Sequence, residues 1–363
     1  MKSKGIFIGA TGQNVGKTTV CLGLIALLQK QFPSIGFIKP VGQRHVTTDT
    51  GIAVDKDVVL FKKHFNLKSD YPNMSPIIFP SGFTRDFLDG KFNDIDFEKL
   101  ILNAYKKVSS ESDFTIVEGT GHIGVGSITG LNNAKVAKIL NLDVVIISSG
   151  GIGKAFDELA LNITMLQKYG VKIKGVILNR VLPEKKDMVE EYIGKALDRL
   201  GIPLLGCVPY DHFLSTSSMN DYETLFKTEL ISGHPYKYHH FEKIHFVATS
   251  QKISEDSIPN NQLIITSSAR EDVIKALIAR YNKEKGKSFE VGLLLTGKTL
   301  PKDSIIKKLK KTLIPVLYTN REHYEAIQMI SLHTSKILNE DIDKVVRAIQ
   351  LIEQHINLNK IYE

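Results

Sequence analysis

Lys17 and Thr18 stand directly behind a glycine, at the end of the stretch Gly9-Ala-Thr-Gly-Gln-Asn-Val-Gly-Lys-Thr-Thr19. A short apolar run, Ile6 to Ile8, precedes it and an amphipathic segment follows, with Val20, Leu22, Leu24, Ile25, Leu27 and Leu28 on a broad apolar face. Strand, glycine-bearing loop and helix in that order make a phosphate-binding loop, because backbone N–H groups of the loop and of the helix start converge on one concavity. Gly12, Gln13, Asn14, Val15, Gly16, Lys17, Thr18 and Thr19 are the candidate phosphate-binding residues. In such a loop the lysine lies against the outer phosphates and the Thr18 hydroxyl ligates Mg²⁺. The pattern G-x-x-x-x-G-K-[ST] is met except at its first position, where Thr11 replaces glycine.

Other chemistry-bearing residues sit where strands are expected to end. Lys39 closes the run Ile35 to Ile38, and the carboxyl edge of an open α/β sheet is where ligands bind. Spacing alone leaves Lys39 open between a ligand at that edge and a surface lysine before a turn. Asp57 begins a helical stretch, Val58 to His64, and is open between a metal-facing carboxylate and an ordinary acidic residue at a helix start. Glu118 ends the apolar run Phe114 to Val117 and is followed by Gly119-Thr-Gly121, so its carboxylate reads as a second metal ligand beside Thr18.

These residues need a sheet to hold them. Apolar strands alternate with amphipathic helices as far as Pro209, which predicts a parallel sheet covered by helices on both faces. Residues 212 to 244 interrupt that rhythm and read as a linker containing a helix, Tyr222 to Leu230. His234, His239, His240 and His245 fall in or beside it, without the paired spacing or the cysteine and carboxylate frame of a metal site. A second α/β pattern follows: strands at Leu263 to Thr266, Glu290 to Thr296 and Pro315 to Tyr318, and helices at Glu271 to Tyr281, Ile305 to Thr312, Tyr324 to Ser331 and Asp341 to Ile356. It has no phosphate loop, and its lysines at 307, 308, 310 and 311 read as the wet face of a helix. The expected division is residues 1–213 and 214–363.

The 363 residues suffice for about two domains with separate cores. A net charge of +8 suits phosphates, and no aromatic-spaced basic motif points to nucleic acid. Cys21 and Cys207, both among apolar neighbours, read as reduced core residues. No run approaches the roughly 18 apolar residues of a membrane span, and no signal-peptide core opens the chain, so a cytoplasmic protein with no membrane partner is expected.

The set Thr11 to Thr18, Lys39-Pro-Val, Asp57, Glu118-Gly-Thr-Gly121, Asn179 after its strand, and Pro203-Leu-Leu-Gly-Cys-Val-Pro209 resembles the dethiobiotin synthetase-like P-loop ATPases. Members of that family likewise lack the first glycine of the loop. Residues from about Leu214 resemble a DRTGG domain, through Leu263 to Asp272, Gly292-Leu-Leu-Leu-Thr-Gly297 and Ile314-Pro-Val-Leu. The two together are similar to the N-terminal region of long bacterial phosphotransacetylases, whose acetyltransferase domain is not expected here. The DRTGG signature is partly kept, as Ala269-Arg-Glu-Asp272.

The resemblance implies a P-loop NTPase domain with ATP and Mg²⁺ as ligands. Lys17 and the loop amides would hold phosphates; Thr18, Asp57 and Glu118 would hold the metal. Lys39 would sit beside the γ-phosphate and a substrate carboxylate or carbamate, and Asn179 would contact adenine. It further implies a small acidic metabolite as second substrate in a ligase-type reaction, and a homo-oligomer. Dethiobiotin synthesis itself is not expected, because Gly153-Lys154-Ala155 stands where that enzyme carries an Asn-His type pair. The alternative is a non-catalytic nucleotide-sensing module like that of phosphotransacetylase. Cobyrinate-type amidases are set aside for want of a glutaminase cysteine, and septum-site partitioning ATPases for want of a second loop lysine.

Overall fold

The computed structural model describes residues 4–43, 45–247, 258, 260–284 and 290–362. Arg44, the last residue of the segment after Lys39, lies outside them. The chain divides into two compact units, residues 1–211 with 337–363, and residues 212–336.

The first unit is built on six parallel strands: β1 (Lys4–Ala10), β2 (Ile35–Ile38), β3 (Phe114–Glu118), β4 (Val144–Ser149), β5 (Ile173–Val181) and β6 (Leu204–Pro209). Their spatial order is β6-β5-β4-β1-β3-β2. The strands are almost wholly buried, as expected for near-continuous apolar runs covered on both faces. The order reverses at β1, which pairs with β3 on one side and β4 on the other. A crevice opens beyond the strand ends at such a reversal. Helix α1 (Lys17–Gln29) leaves β1 there, and α2 (Lys56–Phe65) follows a short two-stranded ribbon, His45–Thr47 with Ala53–Asp55. Helices α3 (Phe97–Ser110), α4 (Asn133–Leu140), α5 (Gly153–Lys168) and α6 (Lys186–Asp198) supply the remaining crossovers.

The second unit carries α7 (Met219–Phe226), β7 (Leu230–Ser232), β8 (Lys243–Val247), β9 (Gln262–Ser267), α8 (Glu271–Lys283), β10 (Val291–Thr296), α9 (Asp303–Leu309), β11 (Val316–Thr319) and α10 (His323–Leu332). The sheet order is β7-β11-β10-β9-β8, parallel except for β7. Alternation sorts its core. Ile264, Leu293, Leu295 and Val316 pack with Val273, Ile274 and Leu277 of α8, whereas Leu263, Ile265, Leu294 and Leu317 pack with Met219, Tyr222 and Phe241.

Three expectations need correction. Residues 212–244 are not a linker but the first part of the second unit, including β7 and the start of β8. The helix expected over Tyr222 to Leu230 runs Met219–Phe226, opened by a Ser218–Asp221 capping box and closed by Lys227 in the left-handed region. Leu230 instead pairs antiparallel with Leu317. The largest difference concerns the end of the chain. Residues 337–363, expected in the second domain, belong to the first unit. Their helix α11 (Ile342–His355) lies against α1, so closely that a Cβ on Gly23 would overlap Ile352. Ile356 bridges to Gly206 of β6, Asn357 N–H donates to Leu205 at 3.1 Å, and Arg347 Nε donates to Asp211 at 2.7 Å. The periodicity of α11 shows an apolar face without saying what it meets. Residues 212–336 are thus an insertion in the chain of the first unit. Among the described residues no helix is long and apolar enough to cross a membrane.

Candidate nucleotide site

The loop between β1 and α1 takes its shape from two residues with positive φ, Asn14 at 57° and Gly16 at 96°. Asparagine tolerates that region and glycine has no penalty in it. Gly16 also has no room for a side chain, because a Cβ there would overlap Asn179 Nδ2. Its carbonyl accepts the first bond of α1, from Val20 N–H at 3.0 Å. Gln13 and Asn14 are exposed; Gly12, Gly16, Thr18 and Thr19 are half-buried; Val15 and Lys17 are buried.

Lys17 reaches across the loop. Its Nζ donates to Gly121 O at 2.8 Å and to Gly12 O at 3.3 Å, so one ammonium ties the loop to the turn after β3. Burial pulls this ammonium below its ordinary pKa, against the opposing pull of Glu118. Thr18 occupies the next position in the first turn of α1.

Lys39, just beyond β2, is also buried, and three carboxylates surround it. Its Nζ lies 2.9 Å from Asp55 Oδ1, in a short hydrogen bond to Asp57 Oδ2, and 3.9 Å from Glu118 Oε1. Burial alone would depress it, but Asp57, Glu118 and Asp55 outweigh burial and hold it above the ordinary lysine range. Glu118 feels the opposite balance: burial pushes its carboxyl up to about 7, with Lys39 opposing. Strand pairing sets Glu118 beside Ile8, two residues before the end of β1. Its Oε2 is buried with no hydrogen-bond partner, as is Thr11 Oγ1. Buried polar atoms are normally satisfied, and this orphan carboxylate oxygen at a strand end has its lone pairs open to a further partner.

Among the described residues no three or more His, Cys, Asp or Glu side chains gather into a ready-made metal site. Mg²⁺ does not need one. It takes one or two carboxylates and a hydroxyl with phosphate oxygens and water, and the hard oxygens of Thr18, Asp57 and Glu118 fit that demand.

Asn179, expected at adenine, lies against the loop. It is buried, and its Nδ2 donates to Val15 O at 2.8 Å, so this side chain buttresses the loop. Three residues that shape the site escaped sequence reasoning. Asp55 was visible only as a neighbour of Asp57. Asn133, at the start of α4, clamps the turn after Glu118: its Oδ1 accepts from Thr120 N–H at 3.2 Å and its Nδ2 donates to Thr120 O at 2.8 Å and His122 O at 2.7 Å. Asn162 of α5 accepts from Ile123 N–H at 3.0 Å and joins that turn to Thr11 O. Their one sequence signal is a polar residue on an otherwise buried helix face.

Glycine loop, buried lysine and strand-end carboxylate at the reversal of a parallel sheet define a P-loop NTPase-like domain. Comparison with known proteins agrees. A family model described as an AAA domain matches residues 4–218, and a DRTGG domain model matches residues 224–333. The phosphate acetyltransferase of Pseudomonas aeruginosa is 25% identical over 97% of this chain and 50% of its own length. The ATP-dependent dethiobiotin synthetase BioD of Brachyspira hyodysenteriae is 31% identical over 62% of this chain and 100% of its own. Among solved structures, the MinD cell division protein of Aquifex aeolicus has a TM-score of 0.37 and 16% identity, covering 58% of this chain and 84% of that one. The chain belongs to the AAA domain family, in its dethiobiotin synthetase-like form, and carries a DRTGG domain. It spans about half the length of the phosphate acetyltransferases it matches.

Proposed function

We propose that the chain binds Mg-ATP at this loop and transfers the terminal phosphate to water or to a small carboxylate or carbamate. The observation that carries the reading is Lys39, buried among Asp55, Asp57 and Glu118 on the same sheet edge as Lys17. An anionic acceptor approaching a phosphorus that already bears negative charge needs fixed cations on its path. Lys17 and the loop amides would hold the β- and γ-phosphates, and Lys39 would neutralise the γ-phosphate and the incoming oxygen. Thr18, Asp57 and Glu118 would hold Mg²⁺, which supplies charge neutralisation on the phosphate oxygens. The orphan oxygen of Glu118 supports that assignment. Dethiobiotin synthesis is not the proposed reaction: at the place of the Asn-His type pair the chain has Gly153-Lys154-Ala155, with the Lys154 side chain 91% exposed. Occupancy in a cytoplasmic homo-oligomer remains part of this proposal.

The test is turnover. Purified chain with Mg-ATP is expected to release phosphate, faster with the matching small acid, and Lys17→Ala is expected to cut release by about a hundred- to a thousandfold. A second reading is favoured by one observation, that the phosphate acetyltransferase matches 97% of the chain while the dethiobiotin synthetase matches 62% of it. In that reading the chain senses nucleotide without consuming it. Tight Mg-ATP binding with no phosphate release across a panel of small mono- and dicarboxylates would select it and reject catalysis.

A further inference from the structure

We infer that Asp55 is a positioning residue for Lys39: it is the counter-ion that stays with the ammonium while Asp57 and Glu118 give oxygens to other partners. The inference rests on the Mg-ATP reading of the site. A buried ammonium needs a compensating charge held close, since an unpaired one is costly in a low-dielectric interior. Lys39 has three such charges, but two of them are the carboxylates suited to a metal. The third, Asp55, also caps α2 through the Asp57 N–H.

The geometry of Asp55 is over-determined. Its Oδ1 accepts from the Asp57 N–H at 3.0 Å and from Lys39 Nζ at 2.9 Å, so one oxygen both caps α2 and anchors the lysine. Its own N–H donates to Ser75 Oγ at 3.0 Å. The residue ends a strand paired antiparallel with His45–Thr47. Gly42 leaves space for it, because a Cβ there would lie 2.8 Å from both its Cβ and its Oδ2. A side chain fixed from so many directions can aim another. The cap by itself does not require charge, as Asn and Ser cap about as well as Asp. The negative charge is therefore assigned to Lys39.

The experiment measures Mg-ATP and Mg-ADP affinities by calorimetry on the full chain, for wild type, Asp55→Asn, Asp55→Ser, Lys39→Met and the Asp55→Asn/Lys39→Met pair. Both Asp55 variants keep a capping side chain, and their melting curves are expected to stay near wild type. If Lys39 faces the γ-phosphate, Lys39→Met lowers the preference for ATP over ADP. Asp55→Asn and Asp55→Ser should lower it too, by about tenfold, the scale of one charge-assisted contact. The double variant should lose no more than Lys39→Met alone. A preference kept in either folded Asp55 variant while Lys39→Met loses it reduces Asp55 to a helix cap and overturns the inference, leaving the nucleotide reading intact. A preference kept in Lys39→Met overturns the inference together with the role given to Lys39. Loss of all nucleotide binding by wild type would overturn the Mg-ATP reading itself.

Discussion

Both units end their parallel strands in polar residues, yet the two edges are built from different chemistry. In the first unit Lys17, Lys39, Asp57 and Glu118 are buried at the strand ends. In the second, the buried polar residues at the corresponding ends are Ser268, Thr296 and Thr319. There Ser268 Oγ donates to Thr299 O at 2.6 Å, and Thr296 Oγ1 lies 3.2 Å from Thr266 O and 3.0 Å from His323 Nδ1. Among the described residues of the second unit no lysine or arginine is buried. Its ion pairs lie nearer water, as in Arg270–Asp272 and Arg321–Glu325, and such pairs contribute little to stability. Buried charge is costly unless it is paired and used. The first edge holds its charges in a mutual network and leaves Glu118 Oε2 and Thr11 Oγ1 without a hydrogen-bond partner; at the second the hydroxyls bond locally, and the atom left over is a ring nitrogen, His323 Nε2. Parallel strands alone do not make a site. The glycine loop and the buried lysines distinguish the candidate site at the first edge.

That contrast can be broken or sharpened by substitution. The largest effect is expected at Lys17. Lys17→Ala removes the cation proposed to hold the phosphates and should cost on the order of a hundred- to a thousandfold in phosphate release, measured as single-turnover rate. Retained release would remove the loop from the chemistry. Next is the helix returned to the first unit. Ile352 is fully buried against α1, and Ile352→Ala should destabilise the first unit by about 2–5 kcal/mol, read by denaturant unfolding. A change confined to the second unit's transition would contradict the division at residue 337. A smaller loss is expected for Glu118→Gln, about tenfold in Mg²⁺-dependent ATP affinity through one charged contact, with binding in EDTA little changed. Equal loss with and without Mg²⁺ would remove Glu118 from the metal. The smallest concerns the hydroxyl edge. Thr296→Val should cost roughly 1–2 kcal/mol by stranding Thr266 O and His323 Nδ1, and leave ATP affinity where it was. Altered ATP affinity in that variant would mean the two edges are not independent.

How much was legible beforehand varied with the range of the interaction. The strands of the first sheet and the loop at Gly9 to Gly16 follow from apolar runs, glycines and a helix start within a few residues of each other. In the second unit the strand Lys243–Val247 was missed because four of its five residues are exposed and its pattern resembles a polar connection. The helix boundary at Lys227 turned on a single left-handed residue, which composition does not mark. Asn179 was read at adenine from the resemblance; its bond to Val15 O, beside Gly16, is a long-range contact that no local pattern marks.

Lys39 and Asp57 stayed open on spacing alone and were taken up through the family resemblance. The sequence by itself determined the glycine loop, the alternation of strands and helices, and the candidates Lys17, Thr18 and Glu118. Each depends on short-range facts: periodicity, the freedom of glycine, the spacing of a lysine and a hydroxyl from a strand end. Tertiary structure decided the partners. The order of strands, with β3 inserted between β1 and β2, brings Glu118 to within 3.9 Å of Lys39. The turn at Asp55 gives Lys39 a second carboxylate 16 positions along the chain. The final 27 residues join a unit that the chain left at Asp211. A side chain carries its charge and size in the sequence, but which opposite charge it meets depends on how distant strands are stacked, and no local pattern encodes that.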